Sequence, residues 1–110
     1  MPPSPEPMPI TGRDGVPLCV WDYGGDGPPL LLCHCTGTLG RIWEPLVPLL
    51  HGFRVLALDS RGHGASGKPL DFEAYAWAHM GRDVLAAIDA CALPTPLFAV
   101  GHSCGAAMLG

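Results

Sequence analysis

The chain has 110 residues, 48% hydrophobic and 15% charged, a composition suited to one globular domain and not to a disordered or fibrous chain. Ten acidic against six basic residues leave it mildly negative with no Lys/Arg cluster, which argues against a nucleic-acid partner. No apolar run approaches the roughly 20 residues that cross a bilayer, so no membrane partner is expected.

The opening "MPPSPEPMPI" lacks the basic start and apolar core of a signal peptide. Residues 1–10 read as a flexible, proline-stiffened tail, followed by a domain over 11–110. Five cysteines is an odd number, and three sit inside apolar runs. Buried thiols in a reducing compartment are therefore expected over a disulfide framework, and with them a cytoplasmic location.

Along the chain, strand-like and helix-like segments alternate. A weak first strand is expected near "MPIT", and a second over "VPLCVWDY" (16–23), bounded by the turn signal "GGDGPP". "LLLCHC" (30–35) is a continuous apolar run, as a strand covered on both faces requires. "RIWEPLVPLL" (41–50) is helix-like but short or distorted, because Pro48 cannot sit deep in a regular helix. "FRVLALD" (53–59) is a further buried strand, followed by the glycine-rich loop "SRGHGASGKP" (60–69).

The clearest helix is expected over 72–90, with Trp77, Met80, Val84, Leu85 and Ile88 forming its apolar stripe. Arg82, Asp83 and Asp89 fall mostly off that stripe, Asp71 can cap the start, and Pro94 marks the end. "PLFAVG" (96–101) reads as one more buried strand, and another helix begins after it. This alternation implies a layered α/β domain around a mostly parallel, doubly wound sheet. In such sheets the site lies outside the carboxyl ends of the strands. His34 to Gly37, Asp59 to Ser66 and His102 to Gly105 all fall there.

"GHSCG" (101–105) matches G-x-S-x-G between a strand and a helix. Acyl transfer needs a serine protruding from a sharp turn, and flanking glycines leave room for neighbouring backbone and substrate. Ser103 is the candidate nucleophile. An oxyanion hole takes two backbone N–H donors, one from the residue after the nucleophile, here Cys104, and one from a neighbouring strand-end loop. In "HCTG" (34–37), Thr36 is the first choice for the second donor, with Cys35 behind it. In "DSRGHGAS" (59–66), Asp59 and Arg61 are expected to pair and lock the loop, with His63 ordering it rather than serving as base. Zinc is disfavoured because Cys33 and Cys35 point away from His34 along a strand and no C-x-x-C pair exists. A dinucleotide site is disfavoured because G-x-G-x-x-G is absent.

Together "LLLCHCTG", "FRVLALDSRGHGASGKP", "GRDVLAAIDA" and "FAVGHSCG" resemble the serine-nucleophile α/β-hydrolases in order and spacing over roughly residues 15–110. The resemblance implies an α/β-hydrolase fold truncated after the nucleophile elbow. It also implies hydrolysis of a carboxylic ester or related small carbonyl substrate through an acyl-enzyme on Ser103. The N–H groups of Thr36 and Cys104 would form the hole, and no cofactor is implied. Serine at the elbow argues against relatives that open epoxides through a carboxylate. In that family the triad acid and His follow the elbow, so neither has a position among these 110 residues. The alternative is an inactive fragment, or half of a split hydrolase completed by a second chain or by self-association through an exposed sheet edge. Cys35 and Cys104 are expected to flank the hole together.

Overall fold

The computed structural model describes residues 4–110, so the first three residues of the expected tail lie outside the described residues. Five strands form one mixed sheet: β1 (Glu6–Thr11), β2 (Pro17–Gly24), β3 (Pro29–Cys33), β4 (Arg54–Asp59) and β5 (Phe98–Gly101). Their order is β1-β2-β4-β3-β5, with β3 parallel to both β4 and β5, and β2 antiparallel to both β1 and β4. Residues 6–10, expected as tail, instead form most of β1. Proline has no N–H to donate, so Pro7 and Pro9 must occupy the pairs that carry no ladder bonds, facing Trp21 and Cys19. Their ring nitrogens then face outward and leave the β1 edge poor in donors.

β3 shows why a continuous apolar run becomes a central strand. All five of its residues are buried. Leu31 and Cys33 point to one face, with Leu56, Leu58, Met80, Val84 and Met108. Leu30 and Leu32 point to the other, with Val55, Ala57, Trp43 and Val47. The sheet is thus covered on both sides. Helices α1 (Trp77–Ala90) and α2 (Cys104–Leu109) lie on the first face, and two short 3₁₀ turns, Gly40–Trp43 and Val47–Leu49, lie on the second. Those turns are what the prolines leave of the distorted helix expected over 41–50. β5 departs from its expected burial: it is the outer strand, with Phe98 and Val100 exposed.

The expected helix over 72–90 is divided. Residues Phe72–Tyr75 make a 3₁₀ turn, capped by the Asp71 carboxylate accepting from the Glu73 N–H. Ala76 is extended (ψ 143°), and α1 begins only at Trp77. Its C-terminus closes with Ala92 left-handed (φ 50°), the N–H groups of Ala92 and Leu93 reaching back to the Asp89 and Ile88 carbonyls. The buried stripe also differs. Met80 and Val84 face the core, but Trp77 and Leu85 are exposed, and Asp83 is fully buried.

Asp83 is buried because its partner is. Arg61, 1% exposed at its side chain, donates Nε and Nη2 to the two Asp83 carboxylate oxygens at 2.7 and 2.6 Å. It also donates to Asp14 at 2.8 and 3.0 Å and to the Ala74 carbonyl at 2.8 Å. The expected Asp59–Arg61 pair is therefore not formed. Asp59 instead accepts from Trp21 Nε1 and from the N–H groups of Gly40 and Ala65, at 2.9, 2.7 and 2.9 Å. A guanidinium facing two fixed carboxylates satisfies its fork better than a neighbour two residues away.

Asp83→Ala should cost about 3 kcal/mol, since removing one partner leaves a buried charge undercompensated. Urea denaturation at neutral pH measures this, and a loss below about 1 kcal/mol would contradict the assigned role. Hydrogen bonding from Arg61 lowers the Asp14 pKa from 3.8 to about 2. A depressed folded pKa stabilises above the unfolded value, and that contribution is lost as pH falls through the folded one. The stability gap between the native chain and Asp14→Asn should therefore close between about pH 4 and pH 2 in urea titrations. A gap that stays constant across that window would refute the linkage.

Candidate functional site

β5 ends at Gly101 and α2 begins at Cys104, so the chain reverses within two residues. The His102 N–H donates to the Cys33 carbonyl at 3.1 Å, and the Gly105 N–H closes back on the His102 carbonyl at 3.0 Å. Ser103 is held at φ 56°, ψ −112°, a strained conformation for a residue with a side chain. Both flanking glycines follow from crowding. A Cβ on Gly105 would run into the carbonyls of Cys33 and His34, and one on Gly101 into the Ala106 backbone nitrogen. Ser103 is exposed, and among the described residues no side chain hydrogen-bonds to its hydroxyl.

The loop after β3 leaves the strand end adjacent to that turn, because Cys33 pairs with Gly101. It folds into a tight turn, with the Thr38 N–H and hydroxyl both directed at the Cys35 carbonyl, at 3.3 and 2.7 Å. The Gly37 N–H donates to His63 Nε2 at 2.9 Å. Thr36 is exposed. Among the described residues, the N–H groups of Cys35, Thr36 and Cys104 donate to no protein acceptor, whereas those of Gly37 and Thr38 are occupied.

His34 is buried and accepts the Ser60 N–H at Nε2, 3.0 Å away. Its proton must then sit on Nδ1, which lies 2.7 Å from the Cys35 carbonyl. Burial holds its pKa below the ordinary histidine value. His63 is engaged in the same way, with Nδ1 3.0 Å from the Arg61 carbonyl. It orders the loop, as its setting suggested.

The two thiols expected to flank one hole have different neighbours. Cys35 Sγ lies 3.6 Å from Thr38 Oγ1, whereas Cys104 packs against the core cluster that contains Cys33. Burial pushes the Cys33 thiol up to about 12, so it is no nucleophile at neutral pH. Sequence reasoning did not reach the reciprocal histidine bonds or the three donors on Asp59. The signal was present only as a histidine in each of two adjacent strand-end loops.

A family model described as alpha/beta hydrolase fold matches residues 28–109. The chain is similar to bifunctional epoxide hydrolase 2 of Mus musculus, at 32% identity over 102 residues, covering 91% of this chain and 18% of that protein. It is also similar to the putative carbamate hydrolase RutD of Variovorax paradoxus, at 42% identity over 82 residues, covering 73% and 30% of the two chains. Among solved structures it superposes on an alpha/beta hydrolase from Novosphingobium aromaticivorans with a TM-score of 0.87 and 28% identity, covering 97% of this chain and 38% of that one. The chain thus spans less than a third of the length of both curated relatives. Sequence, topology and the strained strand-to-helix turn agree that the chain belongs to the α/β-hydrolase-fold family.

Proposed function

We propose that the chain carries the nucleophile and oxyanion donors of a hydrolase that cleaves a carboxylic ester or related carbonyl compound through an acyl-enzyme on Ser103. The observation that supports this best is the Ser103 backbone, held at φ 56° on an exposed turn with both neighbouring glycines enforced by contact. Strain of this kind is retained where a reacting group must be presented. As Ser103 Oγ attacks the carbonyl carbon its proton passes to solvent, and the carbonyl π pair moves to oxygen. The leaving group departs with a proton from solvent as the carbonyl reforms. Water then releases the acyl group. The unoccupied N–H groups of Cys104 and Thr36, with Cys35 beside it, are the donors offered to the transient oxyanion.

The names of several relatives concern epoxides. A serine favours carbonyl substrates on chemical grounds. An alcohol opening an epoxide would leave an ether, which has no carbonyl for water to attack, whereas an ester or carbamate leaves an acyl or carbamoyl group that hydrolyses. The similarity to a putative carbamate hydrolase supports the same side.

A second reading is that the chain alone is inactive, or is half of a hydrolase completed by another chain. Two observations favour it. The Ser103 hydroxyl has no side-chain hydrogen-bond partner among the described residues, and β5 leaves an open edge beside exposed Phe98 and Val100 while the prolines blunt β1.

On the first reading, the purified chain releases p-nitrophenol from p-nitrophenyl acetate above the buffer rate, and Ser103→Ala removes the excess. Equal rates for the two proteins would overturn independent catalysis and favour the second reading. Hydrolysis of styrene oxide that survives Ser103→Ala would overturn the assignment to carbonyl substrates. The strain itself is also testable. Both Ser103→Gly and Ser103→Ala should lose the esterase activity, but only Ser103→Gly should gain about 1 kcal/mol in urea denaturation. Equal stability of the two variants would mean that the turn stores no strain.

A further inference from the structure

We propose that His34 and His63 form a reciprocal clasp between the two strand-end loops, and that His63 thereby acts as a positioning residue for the Thr36 backbone. His34 stands on the loop after β3 and accepts the N–H of Ser60, on the loop after β4, at 3.0 Å. His63 stands on the loop after β4 and accepts the N–H of Gly37, on the loop after β3, at 2.9 Å. Each ring returns its Nδ1–H to a carbonyl of its own loop, His34 to Cys35 at 2.7 Å and His63 to Arg61 at 3.0 Å. The two rings meet edge to face, with centroids 5.0 Å apart and planes at 60°.

A backbone N–H can only donate, so both Nε2 atoms must be unprotonated and both rings neutral with the proton on Nδ1. The geometry therefore specifies one tautomer for both rings. Its consequence falls on the peptide between Thr36 and Gly37. Gly37 sits at φ 86°, in the left-handed region, and its N–H is the atom His63 holds. Fixing that peptide plane fixes one side of Thr36, and the Thr38 bonds to the Cys35 carbonyl fix the other. The Thr36 N–H is left unpaired on a backbone tied at both ends. The Gly37 bond is solvent-exposed, so water can replace it at small cost in stability. Its effect is on loop geometry more than on folding.

The catalytic meaning of this clasp rests on the reading of the Thr36 N–H as an oxyanion donor, whereas the clasp itself can be observed without activity. In the ¹⁵N-labelled chain, the ring nitrogens of His34 and His63 should show a protonated Nδ1 and a bare Nε2 at neutral pH. In His63→Ala, amide exchange at Gly37 should quicken about fivefold while Leu31 and Leu56 in the sheet stay within about twofold. His63→Gln, which keeps an acceptor at similar reach, should restore most of the Gly37 protection. A proton on His63 Nε2, or native exchange at Gly37 in His63→Ala, would overturn the clasp.

The positioning role is read from the rate at which a fluorophosphonate labels Ser103. That rate should fall in His63→Ala and recover in His63→Gln. Equal labelling in all three proteins, with Gly37 protection lost in His63→Ala, would overturn positioning. A Ser103 that never labels, beside an intact clasp, would instead overturn the proposed function and leave the clasp standing.

Discussion

The guanidinium of Arg61 is the charge around which the rest is arranged. Its side chain is 1% exposed, and a cation at that depth persists only when its donors are all met. The acceptors come from three separate segments: Asp14 in the turn between β1 and β2, Ala74 in the 3₁₀ turn, and Asp83 in α1. A well-packed apolar replacement could match such a cluster in stability. It could not match its direction, because a planar fork dictates where each carboxylate must stand. That direction matters at the site. The Arg61 carbonyl receives His63 Nδ1, so the salt cluster sets the ring that reaches across to Gly37.

The elbow depends on a different constraint, crowding against the end of β3. That strand is buried along its whole length and bonded on both sides, so its terminal carbonyls cannot move aside. The Cys33 carbonyl takes the His102 N–H, and α2 passes so close that position 105 admits no Cβ. Met108 anchors the far end of α2, buried in the core with its sulfur accepting the Ser60 hydroxyl at 3.5 Å. Ser103 is left to absorb the reversal at positive φ. The strain at one exposed residue is offset by burial and ladder bonds in the strand beneath it.

The strands were legible because apolar runs and turn residues are local signals. "LLLC" and "RVLALD" needed only their own composition to mark them as covered on both faces. The N-terminal prolines misled, since alternate prolines fit an edge strand as well as they fit a loose tail. The helix stripe failed at Asp83 for a deeper reason. Periodicity assigns a charge to the solvent face, and only a partner 22 residues away in sequence brings it inside. The serine, its glycines and the loop after β3 were likewise visible as motifs. Which N–H groups in that loop are already taken was not, because this depends on His63 across the gap.

The two histidines of the strand-end loops are not free to serve the proposed nucleophile Ser103 as base. A general base needs a free lone pair, and the imidazoles of His34 and His63 have each given theirs to a backbone N–H. For His34 to turn toward Ser103 it would abandon the buried Ser60 N–H, at a cost of about 1–3 kcal/mol. Its burial already disfavours the imidazolium that a base must become. The same bonds that tie the loop after β3 in place therefore occupy the Nε2 lone pair of both rings. Positioning and basicity compete for one nitrogen lone pair, and here positioning has taken it.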